Sequence, residues 1–306
     1  MERKVIVITG PTCSGKTALS LKLAETLKTE IISADSRQVY KYLDIGTAKP
    51  SPDELTAVKH HFIDSLTPDQ DFNVSKFEQD ALNIIYALLG KGKIPIVSGG
   101  SGLYVKAVTD GIFNTADTDD DLRARFKSIL DEQGREYLYE QLKKADPAAA
   151  ETMLPQNWKR VMRALEVFHL TGRSILEHHG DYQRNIDVEF LQFGLNWDRA
   201  VLYRNIENRV DYMISHGLVD EARRVLEMGY GKDLNSLNTV GYKEIFAFLN
   251  KEITLERAVE LIKRNTRRFA KRQMTWFRRD DRIRWFDIAN PSDLDNIRDE
   301  ILKFLQ

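Results

Sequence analysis

An α/β fold built on a parallel sheet, with a helical insertion in the middle of the chain, is predicted by three observations. Short apolar runs of the kind that make buried strands recur at residues 5–8, 30–33, 94–97, 188–195 and 283–286. Helically spaced apolar residues fill most of the intervals between them. The first run leads straight into Gly10-Pro11-Thr12-Cys13-Ser14-Gly15-Lys16-Thr17, which meets the phosphate-loop template G-x-x-x-x-G-K-[ST] at every fixed position. The expectation is a core like that of phosphate-loop NTPases, formed by residues 1–113 and 188–306, with residues 114–187 as a helical insertion.

The loop carries the first chemistry. Glycines at both ends let the backbone curl so that successive N–H groups point inward. The following helix, predicted from residue 17 to 28, adds partial positive charge at its start, and Lys16 adds a full one. A polyphosphate is the expected guest, and Thr17 is the expected ligand of a Mg2+ ion that shares its charge. A nucleoside triphosphate and a diphosphate leaving group would suit the loop equally.

The second strand runs into Ala34-Asp35-Ser36-Arg37-Gln38. Ligands of parallel sheets collect at the carboxyl ends of strands, so Asp35 is expected beside the phosphate loop. It is a candidate base, with helix capping or water-mediated Mg2+ binding as alternatives. Residues 42–50 carry Gly46 and Pro50 and little periodicity, which predicts a structured surface loop. His60 to Asp64 make a short strand at best, and residues 74–89 make a helix. The strand at 94–97 ends in Ser98-Gly99-Gly100-Ser101-Gly102, where a hydrolytic ATPase would carry an acid. Small residues there permit close approach of a ligand, and Ser101 offers a hydroxyl.

Composition changes after Gly111. Asp117 to Asp121 open a helix with acids at its favourable end, and helices follow at 134–145, 148–153 and 158–170. Lys159, Arg160 and Arg163 bring basic charge to the last of these, beside a buried stripe of Val161, Leu165 and Phe168. His178-His179 falls on a polar turn without partner ligands, so no metal is expected there. Residues 202–228 make one or two amphipathic helices bearing Arg204, Arg209, Arg223 and Arg224, and a helix follows at 242–249. Residues 255–277 make a long helix with an apolar line of Ala258, Leu261, Ile262, Phe269 and Trp276. Its basic strip is Arg264, Arg268, Lys271, Arg272 and Thr275. From Lys263 to Arg284 ten basic residues face two acidic ones, a balance of plus eight where an anionic polymer could rest.

Over all 306 residues the net charge is −1 and hydrophobic content is 42%, enough for a sizeable core. No apolar run reaches the roughly 18 residues of a membrane span, and the first strand begins too early for a signal peptide, so a cytoplasmic location is expected. The single cysteine, Cys13, excludes an internal disulfide and is expected to fill a small-residue slot in the loop.

The motifs add up to a resemblance. The phosphate loop, Ser33-Ala34-Asp35-Ser36-Arg37-Gln38-Val39-Tyr40, Asp44-Ile45-Gly46-Thr47-Ala48-Lys49-Pro50, Ser98-Gly99-Gly100-Ser101-Gly102-Leu103-Tyr104, Arg163-Ala164-Leu165-Glu166-Val167, Val240-Gly241-Tyr242-Lys243-Glu244 and Ala270-Lys271-Arg272-Gln273-Met274-Thr275-Trp276 resemble the bacterial tRNA dimethylallyltransferase (tRNA isopentenyltransferase) family. The likeness covers essentially the whole chain. Ser101 departs from it, since the family usually has threonine there, but the hydroxyl is kept.

The resemblance implies transfer of a dimethylallyl group from dimethylallyl diphosphate to N6 of the adenosine 3′ of the anticodon, with Mg2+. Residues 10–17 then bind diphosphate, with Arg223 as a second clamp. The resemblance makes Asp35 and Ser101 catalytic. It also implies tRNA contacts at Asp35, Ser36, Arg37, Gln38, Ser101, Arg123, Lys159, Arg160, Val161, Met162 and Arg163. The expected partners are the tRNA anticodon stem-loop and dimethylallyl diphosphate, with a monomeric enzyme and no membrane. Two other enzyme classes share the loop: a small-molecule kinase, which would turn over ATP, and an isopentenyltransferase acting on free adenine nucleotides. A nonenzymatic RNA-binding module would leave the phosphate loop unexplained.

Overall fold

The computed structural model describes residues 3–112, 119–181, 184 and 186–305. Met1 and Glu2, the proposed boundary at 113/114, and Asp117 at the expected helix start lie outside the described residues. The chain divides into two compact units, one of Met1–Thr109 with Ile186–Gln306 and one of Asp110–Asn185.

In the first unit the chain runs β1 (Lys4–Thr9), α1 (Lys16–Leu27), β2 (Ile31–Ser33), α2 (Pro52–Ala57), β3 (His60–His61), α3 (Val74–Gly90), β4 (Ile96–Ser98) and α4 (Gly102–Asp110). The second unit holds α5 (Asp120–Ala145), α6 (Pro147–Glu151), α7 (Trp158–Thr171) and α8 (Ile175–Asp181). The chain then returns through β5 (Glu189–Trp197), α9 (Arg199–Ser215), α10 (Leu218–Glu227), α11 (Tyr242–Leu249), α12 (Leu255–Phe277), β6 (Arg284–Ile288) and α13 (Asp293–Lys303).

The strands form one parallel sheet in the order β3-β2-β4-β1-β5-β6. Each predicted strand is present, and the doubtful one at His60 is the short edge strand. Alternation along β1 explains why the runs are continuously apolar. Ile6 and Ile8 pack with Leu19 and Leu23 of α1 and with α13, while Val5 and Val7 pack with Phe77, Ala81 and Ile85 of α3. A sheet covered on both faces has no polar side.

Register decides where the loops meet. Ile8 pairs with Ser98, and Ser33 pairs with Ser98, so β1, β2 and β4 end in one row. Their following segments, the phosphate loop, Ala34–Asp35 and Gly99–Ser101, therefore leave the sheet side by side.

Gly134 (φ 83°, ψ 172°) breaks α5 into two pieces, as its lack of a Cβ allows, in keeping with the separate helix expected from residue 134. Two other local expectations change. His178 and His179 lie on α8 and not on a turn, with His178 Nε2 3.0 Å from Thr171 Oγ1. On α12 the buried face is Ala258, Ile262, Ala270, Gln273 and Phe277, whereas Phe269 and Trp276 are each 40% exposed. A buried glutamine, Gln273, takes the place of an apolar residue in this stripe, which hides its period in the sequence. No helix among the described residues is long and apolar enough to cross a membrane.

Candidate active site

The phosphate loop is set by backbone geometry. Gly15, with φ of 93°, occupies the cap position of α1 and makes no side-chain cap. A left-handed residue is needed there, and no acid occupies the first turn, so the N–H groups and positive end of α1 stay available for an anion. Lys16 donates from Nζ to Pro11 O at 2.6 Å, folding back over the loop. Burial lowers its pKa from 10.5 to about 8; the positive charge of Arg209 adds to this, and Cys13 and Asp35 oppose it. A bound anion would restore the full charge. Thr17 stands exposed on the first turn of α1. A single hydroxyl, with phosphate oxygens and water completing the shell, is a donor set that suits Mg2+.

Asp35 closes a turn: its Oδ1 accepts the N–H groups of Arg37 at 2.8 Å and Gln38 at 3.3 Å. The segment that follows is a turn over residues 36–39 and not a helix, so this oxygen caps a turn. Ser101 Oγ accepts Ser36 N–H at 3.1 Å, and Ser101 N–H donates to Ala34 O at 3.2 Å, which joins the segments after β2 and β4. Gln38 is turned inward and supports the structure. It accepts Ser33 Oγ–H at 3.1 Å and donates to Thr47 O and Ala48 O at 3.3 and 3.1 Å.

Small residues after β4 serve close approach of protein to protein. A Cβ on Gly99 would lie 2.1 Å from Ala34 O, one on Gly100 would lie 2.3 Å from Gln273 Nε2, and one on Gly102 would lie 2.3 Å from the Trp276 ring. The expected approach of a ligand to these glycines gives way to packing against the second strand and α12.

Two residues that sequence reasoning left unassigned stand at the loop. Arg209 of α9 donates to Thr12 Oγ1 at 3.2 Å and lies 3.4 Å from Cys13 Sγ. Gln273 of α12 accepts Thr12 N–H at 2.9 Å. A cavity of about 520 Å3 is lined by Thr12, Arg209, Asp35, Ser36, Arg37 and Ser101, with Arg268 and Arg272 from α12. Ile206, Val210, Met213 and Ile262 give it an apolar part. The cavity thus gathers anion-binding groups, a carboxylate and apolar surface in a volume typical of ligand sites.

The loop at 42–50 is more than a surface loop. Glu221, buried on α10, accepts three backbone N–H groups, from Asp44 at 3.0 Å, Ile45 at 2.8 Å and Gly46 at 2.9 Å, together with the Tyr242 hydroxyl. Lys49, nearly buried, donates to Tyr40 O at 2.7 Å and pairs with Asp44 and Asp64. Gly46 and Thr47 are thereby fixed in the cavity wall. The Asp-Ile-Gly-Thr and Gly-Tyr-Lys-Glu segments signalled this loop, but only the fold brings them together.

Other expected site residues sit elsewhere. Arg223 pairs with Asp220 at 2.6 Å on the exposed side of α10 and is not among the residues lining the cavity, whereas Arg209 is. In the second unit Arg123 and Arg163 both pair with Glu166, at 2.7 and 2.6 Å, and Glu166 is only 1% exposed. Val161 is fully buried and Met162 packs partly against the same core, so the Val161 side chain is not available to RNA. Lys159 and Arg160 are exposed.

A parallel sheet with a phosphate loop at the carboxyl end of its first strand, and a carboxylate at the end of the second, defines a phosphate-loop protein with a second substrate side. Residues 38–280 match the family model described as IPP transferase, and the chain belongs to that family. A curated relative from Carboxydothermus hydrogenoformans, named tRNA dimethylallyltransferase, is 45% identical over 99% of this chain and 97% of its own. One from Alkaliphilus oremlandii, with the same name, is 43% identical over the same shares. The crystal structure of a full-length tRNA isopentenylpyrophosphate transferase from Bacillus halodurans is similar with a TM-score of 0.72, at 38% identity over 98% of this chain and 96% of that one. A eukaryotic dimethylallyltransferase acting on tRNA reaches 0.79 at 29% identity, over 95% of this chain and 75% of that one.

Proposed function

We propose that this chain is a tRNA dimethylallyltransferase that moves the dimethylallyl group of dimethylallyl diphosphate onto N6 of the adenosine 3′ of the anticodon. The observation that carries this reading is that one cavity is lined by Thr12 of the phosphate loop, by Arg209, which contacts that loop, and also by Asp35 and Ser101. An anion site and a carboxylate base in one chamber suit a transfer that leaves diphosphate behind.

The allylic carbon–oxygen bond breaks with its electron pair leaving on diphosphate, and the N6–carbon bond forms as N6 loses a proton. Negative charge therefore grows on the departing oxygen. Preorganised N–H groups of the loop, with Lys16 and Arg209, stabilise that charge most in the transition state. A Mg2+ ion on Thr17 would supply further charge neutralisation. The adenine amine is a weak nucleophile because its lone pair is delocalised, so Asp35 acts as base, its Oδ1 held by the turn and its other oxygen taking the proton. Ser101 orients the amine and the Asp35 segment. The target base must leave its stack, at a cost of about a few kcal/mol, which gripping of flanking nucleotides offsets. Arg268 and Arg272 on the cavity rim and Lys159 and Arg160 in the second unit supply cations for that grip, in a monomeric cytoplasmic enzyme.

Purified protein with Mg2+ and labelled dimethylallyl diphosphate is offered tRNA, AMP, or neither with ATP in place of the diphosphate. Label on tRNA at N6 of the adenosine beside the anticodon supports the reading. Label on AMP alone assigns a nucleotide-modifying enzyme, and ATP turnover without transfer assigns a kinase.

A further inference from the structure

Gln273 has an unusual position for a polar side chain. It belongs to the buried face of α12, between Ala270 and Phe277, with only 7% of its surface exposed. A buried amide costs stability unless both of its ends are satisfied. Here both are, by two segments that come from different strands. Thr12 N–H donates to Gln273 Oε1 at 2.9 Å, and Gln273 Nε2 donates to Gly100 O at 2.9 Å. Thr12 belongs to the phosphate loop. Gly100 directly precedes Ser101, whose hydroxyl accepts Ser36 N–H and whose own N–H holds Ala34 O. Asp35 lies between those two anchors.

We propose that Gln273 is a positioning residue of the transfer site, tying the diphosphate loop at Thr12 to the Gly100–Ser101 segment and so setting the distance between leaving group and base. The proposal rests on the transferase reading given above. Gln273 acts through Ser101 and the loop and touches neither reacting atom.

The chemistry of the side chain is specific. The tie needs one acceptor and one donor at the end of a two-methylene arm, and glutamine provides both. Glutamate would keep an acceptor for Thr12 and set a second acceptor against the Gly100 carbonyl. Methionine has similar length and volume and offers neither bond. Residue 100 must also lack a Cβ, because one would stand 2.3 Å from Nε2. Misplacement of a reacting group by about 1 Å costs on the order of 10^2 in rate, so a loosened tie should be read in kcat.

The test is a double-mutant cycle of Gln273→Met and Ser101→Ala on the full chain, with dimethylallyl diphosphate and tRNA, and with melting temperature and active-site titration for every variant. The expected result is a fall of about 10- to 100-fold in kcat per titrated site for Gln273→Met, with KM for the diphosphate changed by less than about threefold. The double variant should be no more than about threefold slower than the slower single one, because both changes cut one link. Multiplying losses, or a loss that vanishes once the active fraction is counted, would overturn the proposal. Should the methionine variant not fold, Gln273→Glu decides by the same measurements. If the parent protein transfers nothing to tRNA, the functional reading itself fails; if the parent transfers and the cycle multiplies, only the tie fails.

Discussion

Arg209 and Arg163 are both half-buried arginines on amphipathic helices, and they have opposite fates. Arg209 reaches from α9 to the hydroxyl of Thr12 and the sulfur of Cys13, and among the described residues no ion pair joins it to a carboxylate. Arg163 on α7 pairs at 2.6 Å with Glu166, as does Arg123 from α5. Glu166 is buried, and an uncompensated charge there would be costly, so the two guanidinium groups are committed to neutralising it. What an arginine does depends on whether a buried carboxylate is within its reach. On this criterion we propose Arg209 as the anion-binding arginine of the core, and Lys159 and Arg160 as the recognition cations of the second unit.

The largest expected effect lies at the other end of the cavity and sets the scale for the rest. Asp35→Asn keeps size and a hydrogen-bonding oxygen for the turn at Arg37 and removes basicity. We expect kcat to fall by roughly 10^2 to 10^4, with tRNA affinity within a few-fold of the parent. Turnover near the parent value would take Asp35 out of the mechanism.

The comparison between α9 and α10 gives the next effect. Arg209→Ala should lower kcat/KM for dimethylallyl diphosphate by roughly 10^2, because it removes a charged donor beside the developing diphosphate. Arg223→Ala should change it by less than about threefold, since Arg223 is paired with Asp220 on the exposed side of α10. The reverse ranking would mean that α10 turns onto the loop when substrate binds.

Lys16 adds a pH signature. Its pKa of about 8 belongs to the folded protein without diphosphate, and the ordinary value is 10.5. Between these values the unfolded chain binds the extra proton, so this group lowers stability below about pH 8 and the penalty is relieved as pH rises toward 10.5. Binding runs the other way, because the anion needs the charged form. The profile of kcat/KM for the diphosphate should bend downward above about pH 8, by up to about tenfold per unit, while kcat at saturation stays flat to higher pH. A kcat/KM profile that is level to pH 9 would show that the loop does not use the Lys16 charge.

The sheet and the loop were legible because each rests on local pattern. Apolar runs of three to six residues, punctuated by glycine, can hardly be anything but buried parallel strands, and the phosphate-loop template is contiguous. Asp35 was legible from its place after a strand. Arg209, Gln273 and Glu221 were not, because the loop segments they hold lie between 173 and 261 residues away in sequence, and a glutamine in an apolar stripe signals nothing by itself. Arg163 is a different case. Glu166 stands three positions on, beside the apolar positions Val161 and Leu165, and a lone acid on the buried side of a helix calls for a cation. That signal was available in the sequence and favours pairing over recognition.

The smallest expected effect separates the two kinds of cation in the second unit. Lys159 and Arg160 are exposed, and Lys159 lies over the Trp158 ring at 5.5 Å. Replacing both with alanine should weaken tRNA binding by about 1 kcal/mol, roughly five- to tenfold, and flatten the dependence of log Kd on log salt by about 1 to 2 units. The melting temperature should hardly move, because exposed charges contribute little to stability. Arg163→Ala should do the reverse. It leaves Glu166 paired with Arg123, itself 44% exposed, so the second unit should lose about 1 to 3 kcal/mol of stability while the salt slope keeps its parent value. Limited proteolysis and melting follow the stability, and binding across a salt series follows the recognition. If Arg163→Ala melts like the parent and loses salt-dependent binding, the pairing with Glu166 gives way when RNA arrives. Arg163 would then join Arg209 among the arginines that meet phosphate.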